Sequence, residues 1–138
     1  MHRHVLAFAM LVAATGCDLF SPTVNSVQLL FSLEAVDPED ESERVFVAVG
    51  GDGGIDVRGY FDAPCELPAP LGSAAREDEK LTLTVRFQAD ATCSTAPRRY
   101  TYQALLTGLT GGGYELRVRH EGEPERSGTI FERQVTVN

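Results

Sequence analysis

The 138-residue sequence predicts an all-β domain, a sandwich or barrel of seven or eight short strands. Three observations carry that expectation. Apolar residues recur at every second position through most of the chain after Ser26. Turn-forming clusters, DPEDESE (37–43), GGDGG (50–54), EDEK (77–80) and TGGG (110–113), interrupt the chain at short intervals. Beyond the first 16 residues, no stretch keeps helical spacing over three turns.

The elements follow in order. Val27, Leu29, Phe31, Leu33 and Ala35 alternate largely with polar residues, the pattern of a half-buried strand. Val45 to Val49 is a short strand after the acidic turn, and Ile55 to Asp62 follows the glycine-rich turn. Ala69 to Arg76 is a weaker strand that turns back at EDEK. Leu81, Leu83, Val85 and Phe87 share one face of the next strand, with Thr82, Thr84, Arg86 and Gln88 on the other. Arg98 to Thr107, Tyr114 to His120 and Gly128 to Val137 complete the set. The expected core comprises Val27, Leu29, Phe31, Leu33, Leu83, Val85, Phe87, Leu109, Leu116, Val118 and Val135.

One segment narrows the fold. In TGLTGGGYELRV (107–118), Leu109, the glycines 111–113 and Tyr114 resemble the corner before the penultimate strand of fibronectin type III and related immunoglobulin-like domains. The resemblance implies an antiparallel immunoglobulin-like sandwich over residues 26–138, with the Tyr114 hydroxyl bonded to backbone near 107–113. It implies no activity.

The N-terminus is a different kind of segment. Arg3 precedes an apolar run from Val5 to Ala14. Ten helical residues span about 15 Å, roughly half of a bilayer's hydrocarbon core. A charged start, a short apolar middle and small exit residues make a secretory signal peptide. The order Ala14-Thr15-Gly16-Cys17 resembles the lipobox of bacterial lipoproteins, with Ala14 where leucine is most common. That resemblance implies a signal peptide at 1–16, a lipidated Cys17 that begins the mature chain, and residence in the bacterial envelope outside the cytoplasm. Asp18 resembles the inner-membrane retention signal of enterobacterial lipoproteins, a rule that varies between bacterial groups and leaves inner or outer membrane open. Two competing readings are cleavage by an ordinary signal peptidase before an unmodified Cys17, and a helix belonging to the domain. Residues 17–25 contain Ser21-Pro22 without a sustained period and read as a short tether.

The cysteines are Cys17, Cys65 and Cys93, and an odd count in a secreted chain leaves one thiol over. With Cys17 joined to lipid, Cys65 and Cys93 are left to pair in an oxidising compartment. Alternating strand directions put both at the same end of the domain. Such a bridge closes a loop of about 29 residues, worth about 3.6 kcal/mol in the chain-entropy model.

Twelve basic residues stand against twenty acidic ones, for a net charge of −8. That balance argues against nucleic acid, whose phosphates need clustered Lys and Arg, and against the domain lying on anionic lipid. Few residues suggest chemistry. GGDGGID (50–56) fails the register of the GGxGxD calcium repeat, because Ile55 stands where that repeat needs Asp. The acidic segment 37–43 could supply oxygen ligands to Ca²⁺ but lacks the D-x-D-x-D-G order of an EF-hand, so a solvated loop is the expected reading. After cleavage His120 is the only histidine, beside Arg119 and Glu121, and no nucleophile elbow is present. Tyr60, out of phase with Ile55, Val57 and Phe61, is the candidate exposed aromatic, while Arg117 and Arg119 share a mixed-charge face with Glu115 and Glu121.

The expectation is therefore a non-catalytic, lipid-anchored interaction or structural module, with no cofactor, no metal and membrane lipid as its partner through Cys17. The alternatives are a small secreted hydrolase using His120 or a carboxylate pair, and a protease-inhibitor-like domain presenting a loop.

Overall fold

The structure is a computed structural model that describes residues 26–65, 70–87, 95–122 and 128–138. Eight strands form: β1 (Gln28–Val36), β2 (Val47–Gly51), β3 (Gly54–Ala63), β4 (Leu71–Glu77), β5 (Lys80–Arg86), β6 (Arg98–Thr107), β7 (Gly112–Glu121) and β8 (Gly128–Val137). They make two four-stranded sheets, ordered β1-β6-β3-β2 and β4-β5-β7-β8. Every expected strand is present, with ends moved by a few residues at most. The segments expected to be signal peptide (1–16) and tether (17–25), with Cys17, and Cys93 lie outside the described residues.

Hairpin chemistry sets the local register. Gly51 pairs with Gly54 across the turn Asp52-Gly53, where Gly53 has φ +66°. A left-handed residue at that site suits the strand twist and strains any side chain. The second tight hairpin pairs Glu77 with Lys80, and there Asp78 accepts the same conformation at φ +53°.

The inner faces bury the alternating apolar residues. Ile55, Val57 and Phe61 of β3 and Ala104 and Leu106 of β6 meet Leu81, Leu83, Val85, Leu116 and Val118 of the second sheet. Phe61 is central, with its ring 4.1 Å from Phe87 and 5.0 Å from Tyr100. Leu83, Val85, Phe87, Leu109, Leu116, Val118 and Val135 are buried as the period predicts. Val27, Leu29, Phe31 and Leu33 are only half-buried against that core, short of the burial expected. β1 is an edge strand and its neighbour across the sandwich is β4, another edge. There Gly72, directly under the Phe31 ring, and Ala74 are too small to cover it.

The expected corner is present. The Tyr114 hydroxyl donates to the Thr110 carbonyl at 2.8 Å, where the chain leaves the first sheet for the second. The topology around it departs from expectation in two respects. β5 pairs with β7 in parallel, against the all-antiparallel expectation. The single strand between them, β6, lies in the facing sheet, so the chain reverses twice before returning beside β5. Immunoglobulin domains also pair the first strand with the second, whereas β1 here pairs with β6. The sandwich is common to both; the strand order is not.

The sheets are joined at one corner by the chain's last residue. Asn138 donates its N–H to the Gly51 carbonyl at 3.0 Å, and its own carbonyl accepts from Gly53 at 3.3 Å. Beside it, Gly50 lies so close to the Thr136 carbonyl that any Cβ would overlap it.

Candidate functional site

The outer face of the first sheet holds a groove of about 870 Å³. Its floor is built by register. Ser32 of β1 lies across from Gln103 of β6, which lies across from Arg58 of β3, which lies across from Val47 of β2. The row on one side runs Leu30, Leu105, Asp56, Val49, and the row on the other begins Glu34, Thr101, Tyr60. Ser42, Glu43 and Val45 line the groove as a wall.

Apolar residues are concentrated on this face. The exposed large aliphatics among the described residues are Leu30, Val45, Val49, Leu71 and Leu105, and all but Leu71 belong to this face or its wall. Leu30 is 66% exposed. Clustered exposed aliphatics with a polar rim mark interaction surfaces in soluble proteins. In the centre, the Gln103 amide donates to both Asp56 oxygens, at 3.1 and 2.9 Å, and Arg58 pairs with the same carboxylate at 3.6 Å. Glu34 and Glu43 also line the groove, and neither has a side-chain partner among the described residues.

The wall is held by a buried arginine of β6. Arg99 is on the outer face of β6 yet only 2% exposed. Its Nε and Nη2 donate to the two Asp62 oxygens at 2.6 and 3.3 Å, and Nη1 donates to the Asp40 carbonyl at 2.7 Å. Its guanidinium lies 5.8 Å from the Tyr60 ring centroid. Hydrogen bonding to Asp62 raises the Arg99 pKa above its ordinary value, so the charge is permanent. The strap from Asp37 to Arg44 is thereby fastened to the sheet, and Arg44 adds exposed pairs to Glu41 and Asp62.

Two aspartates of the acidic strap bind its own backbone. Asp37 accepts from the Glu39 N–H, and Asp40 caps the 3₁₀ turn Glu41–Glu43 by accepting from the Ser42 N–H. The Ser42 hydroxyl also donates to Asp40, and these bonds hold its carboxyl pKa below the usual range. Among the described residues no three metal-ligating side chains converge.

The other candidates fall elsewhere. His120 is 1% exposed, its Nε2 3.1 Å from the Tyr102 hydroxyl and its ring among Phe46, Phe61 and Phe87. It belongs to the core. Tyr60 faces outward, as its phase predicts, but is half-buried because Phe46 packs on it at 5.0 Å and Arg99 covers it. Arg117 pairs with Glu115 and Glu132, and Arg86 with Glu121, so the mixed-charge face expected on β7 is present. Cys65 is buried two residues past the end of β3.

Sequence reasoning missed Arg99, Asp56 and Gln103. The available signal for Arg99 was an arginine at the start of an aromatic strand, Arg98-Arg99-Tyr100, facing a sequence with an acidic turn. Compared with known proteins, the chain matches no family model, no curated protein and no solved structure.

Proposed function

We propose that the protein is a non-catalytic module of the bacterial envelope, anchored by lipid on Cys17, that binds a partner through the outer face of its first sheet. The observation that carries the binding role is the gathering of exposed aliphatics on one groove-bearing face. Anchoring rests on the Ala14-Thr15-Gly16-Cys17 junction, which resembles a lipobox. The Cys65–Cys93 bridge belongs to the same reading. It is supported by Cys65 being buried and disulfide-bonded, with Cys17 committed to lipid. His120 in the aromatic core argues against the hydrolase reading that uses it, since a general base must reach its substrate.

Two or more acyl chains hold a protein firmly, at about 0.8 kcal/mol per buried CH₂. Wild type is expected to take up labelled palmitate and sediment with membranes, while Cys17→Ser is unlabelled and does not follow the wild type into the diacylated form. An unlabelled wild-type protein with a free Cys17 at its N-terminus would replace anchoring with ordinary secretion.

A further inference from the structure

We infer that the groove takes an extended peptide segment of the partner that carries an aliphatic side chain and, four residues away on the same face, a basic one; this rests on reading the protein as an interaction module. The charge in the groove points to a cation. Arg58 and Asp56 pair with each other, which leaves Glu34 and Glu43 as the uncompensated charges of the lining. The chain as a whole adds a net charge of −8 to the same field.

The spacing points to an extended chain. Successive cross-strand rows on one face of a sheet are about 7 Å apart, two residues of strand rise. Same-face side chains of an extended peptide repeat at that distance. Laid along the strands, such a peptide puts an aliphatic side chain on the row of Leu30, Leu105 and Val49. Its next same-face position meets Ser32, Gln103 and Arg58, and the one after meets Glu34 and Thr101. The basic side chain belongs at that third position, with Glu43 on the wall above it. Other occupants fit less well. Residues 17–25 of this chain contain Asp18 and no Lys or Arg, and a second copy would bring a second acidic groove against the first.

The test is calorimetric titration of the full chain, in detergent micelles, with the blocked heptapeptide Ser-Val-Ser-Gly-Ser-Lys-Ser, whose valine and lysine share a face two rows apart when extended. Its control is the same peptide with glutamate for lysine. The lysine peptide is expected to bind and the glutamate peptide not to. The double variant Glu34→Gln/Glu43→Gln is expected to bind at least tenfold more weakly, and Leu30→Ser several-fold more weakly. Neither change touches a partnered or buried side chain, and Glu132→Gln on the opposite sheet is expected to leave affinity unchanged. Affinity should fall as salt rises. Equal binding of both peptides, or no binding of either, overturns the inference. So does spermidine binding as tightly as the peptide, or wild-type self-association that the double variant abolishes. Palmitate labelling of the wild type that is lost in Cys17→Ser, alongside any of these results, would leave the anchored module standing and remove only this ligand.

Discussion

On the outer face of the second sheet, Arg117 sits between Glu115 and Glu132, and Arg86 meets Glu121. The outer face of the first sheet carries exposed Leu30, Val49 and Leu105 beside Glu34, which has no partner among the described residues. Both faces arise from the same alternation, and both look polar when a strand is read alone. What separates them is whether register brings opposite charges together. Exposed pairs of the first kind contribute little to stability, about 0–1 kcal/mol each, but they satisfy the surface locally. A face with aliphatics and spare charge remains available to something else.

The sharpest way to break the contrast is at the corner where the sheets join. Gly50→Ala drives a methyl group into the Thr136 carbonyl, whereas the same change at Gly51 meets nothing. Denaturant unfolding should show Gly50→Ala destabilised by about 3 kcal/mol, with Gly51→Ala within about 1 kcal/mol of wild type. Equal effects at the two positions would show that the corner does not close the sandwich.

Next in size is the arginine pair. Arg99→Met strands the partly covered Asp62 carboxylate and frees the Asp40 carbonyl, and should cost about 3 kcal/mol. Arg117→Met removes exposed pairs from the other sheet and should cost under about 1 kcal/mol. The first change should also shift amide signals along Asp37–Arg44; the second should leave them in place.

The smallest effect is on the strap itself and depends on pH. Because the Ser42 bonds depress the Asp40 pKa, its contribution is complete above the ordinary carboxyl value of about 3.9 and is lost as pH falls through the lowered folded value. The protection of the Ser42 amide, relative to its intrinsic exchange rate, should therefore fall on acidification below about pH 4, and Asp40→Asn should flatten that profile. A wild-type profile identical to the variant's would show that the cap does not order the strap.

The comparison also marks what the sequence made legible. Period two located all eight strands, because each has one face on the core and every second side chain must be apolar. The Leu109–Tyr114 corner was legible because its bonds are local, between residues four apart. It did not carry the family's strand order with it, since local bonds do not decide which distant strand becomes a neighbour. Arg99 was illegible for a related reason. It shares the outward phase of Thr101 and Gln103 on β6, but the residues that bury it, Asp40, Tyr60 and Asp62, come from parts of the chain far away in sequence. The groove likewise exists only once β1, β6, β3 and β2 lie side by side, in an order that differs from their sequence order.

The membership of β1 in the groove-bearing sheet has a mechanical consequence. A pull entering the domain through the residues before Gln28 runs along β1, which is paired to β6 over nine positions from Gln28–Thr107 to Val36–Arg99. β6 supplies the middle of the groove floor through Thr101 and Gln103. Tension between the chain's entry point and anything seated in the groove is thus carried within one sheet, as shear across many hydrogen bonds loaded together. It need not cross the interior between the sheets, whose side-chain contacts hold well in compression and poorly under a load that peels them apart.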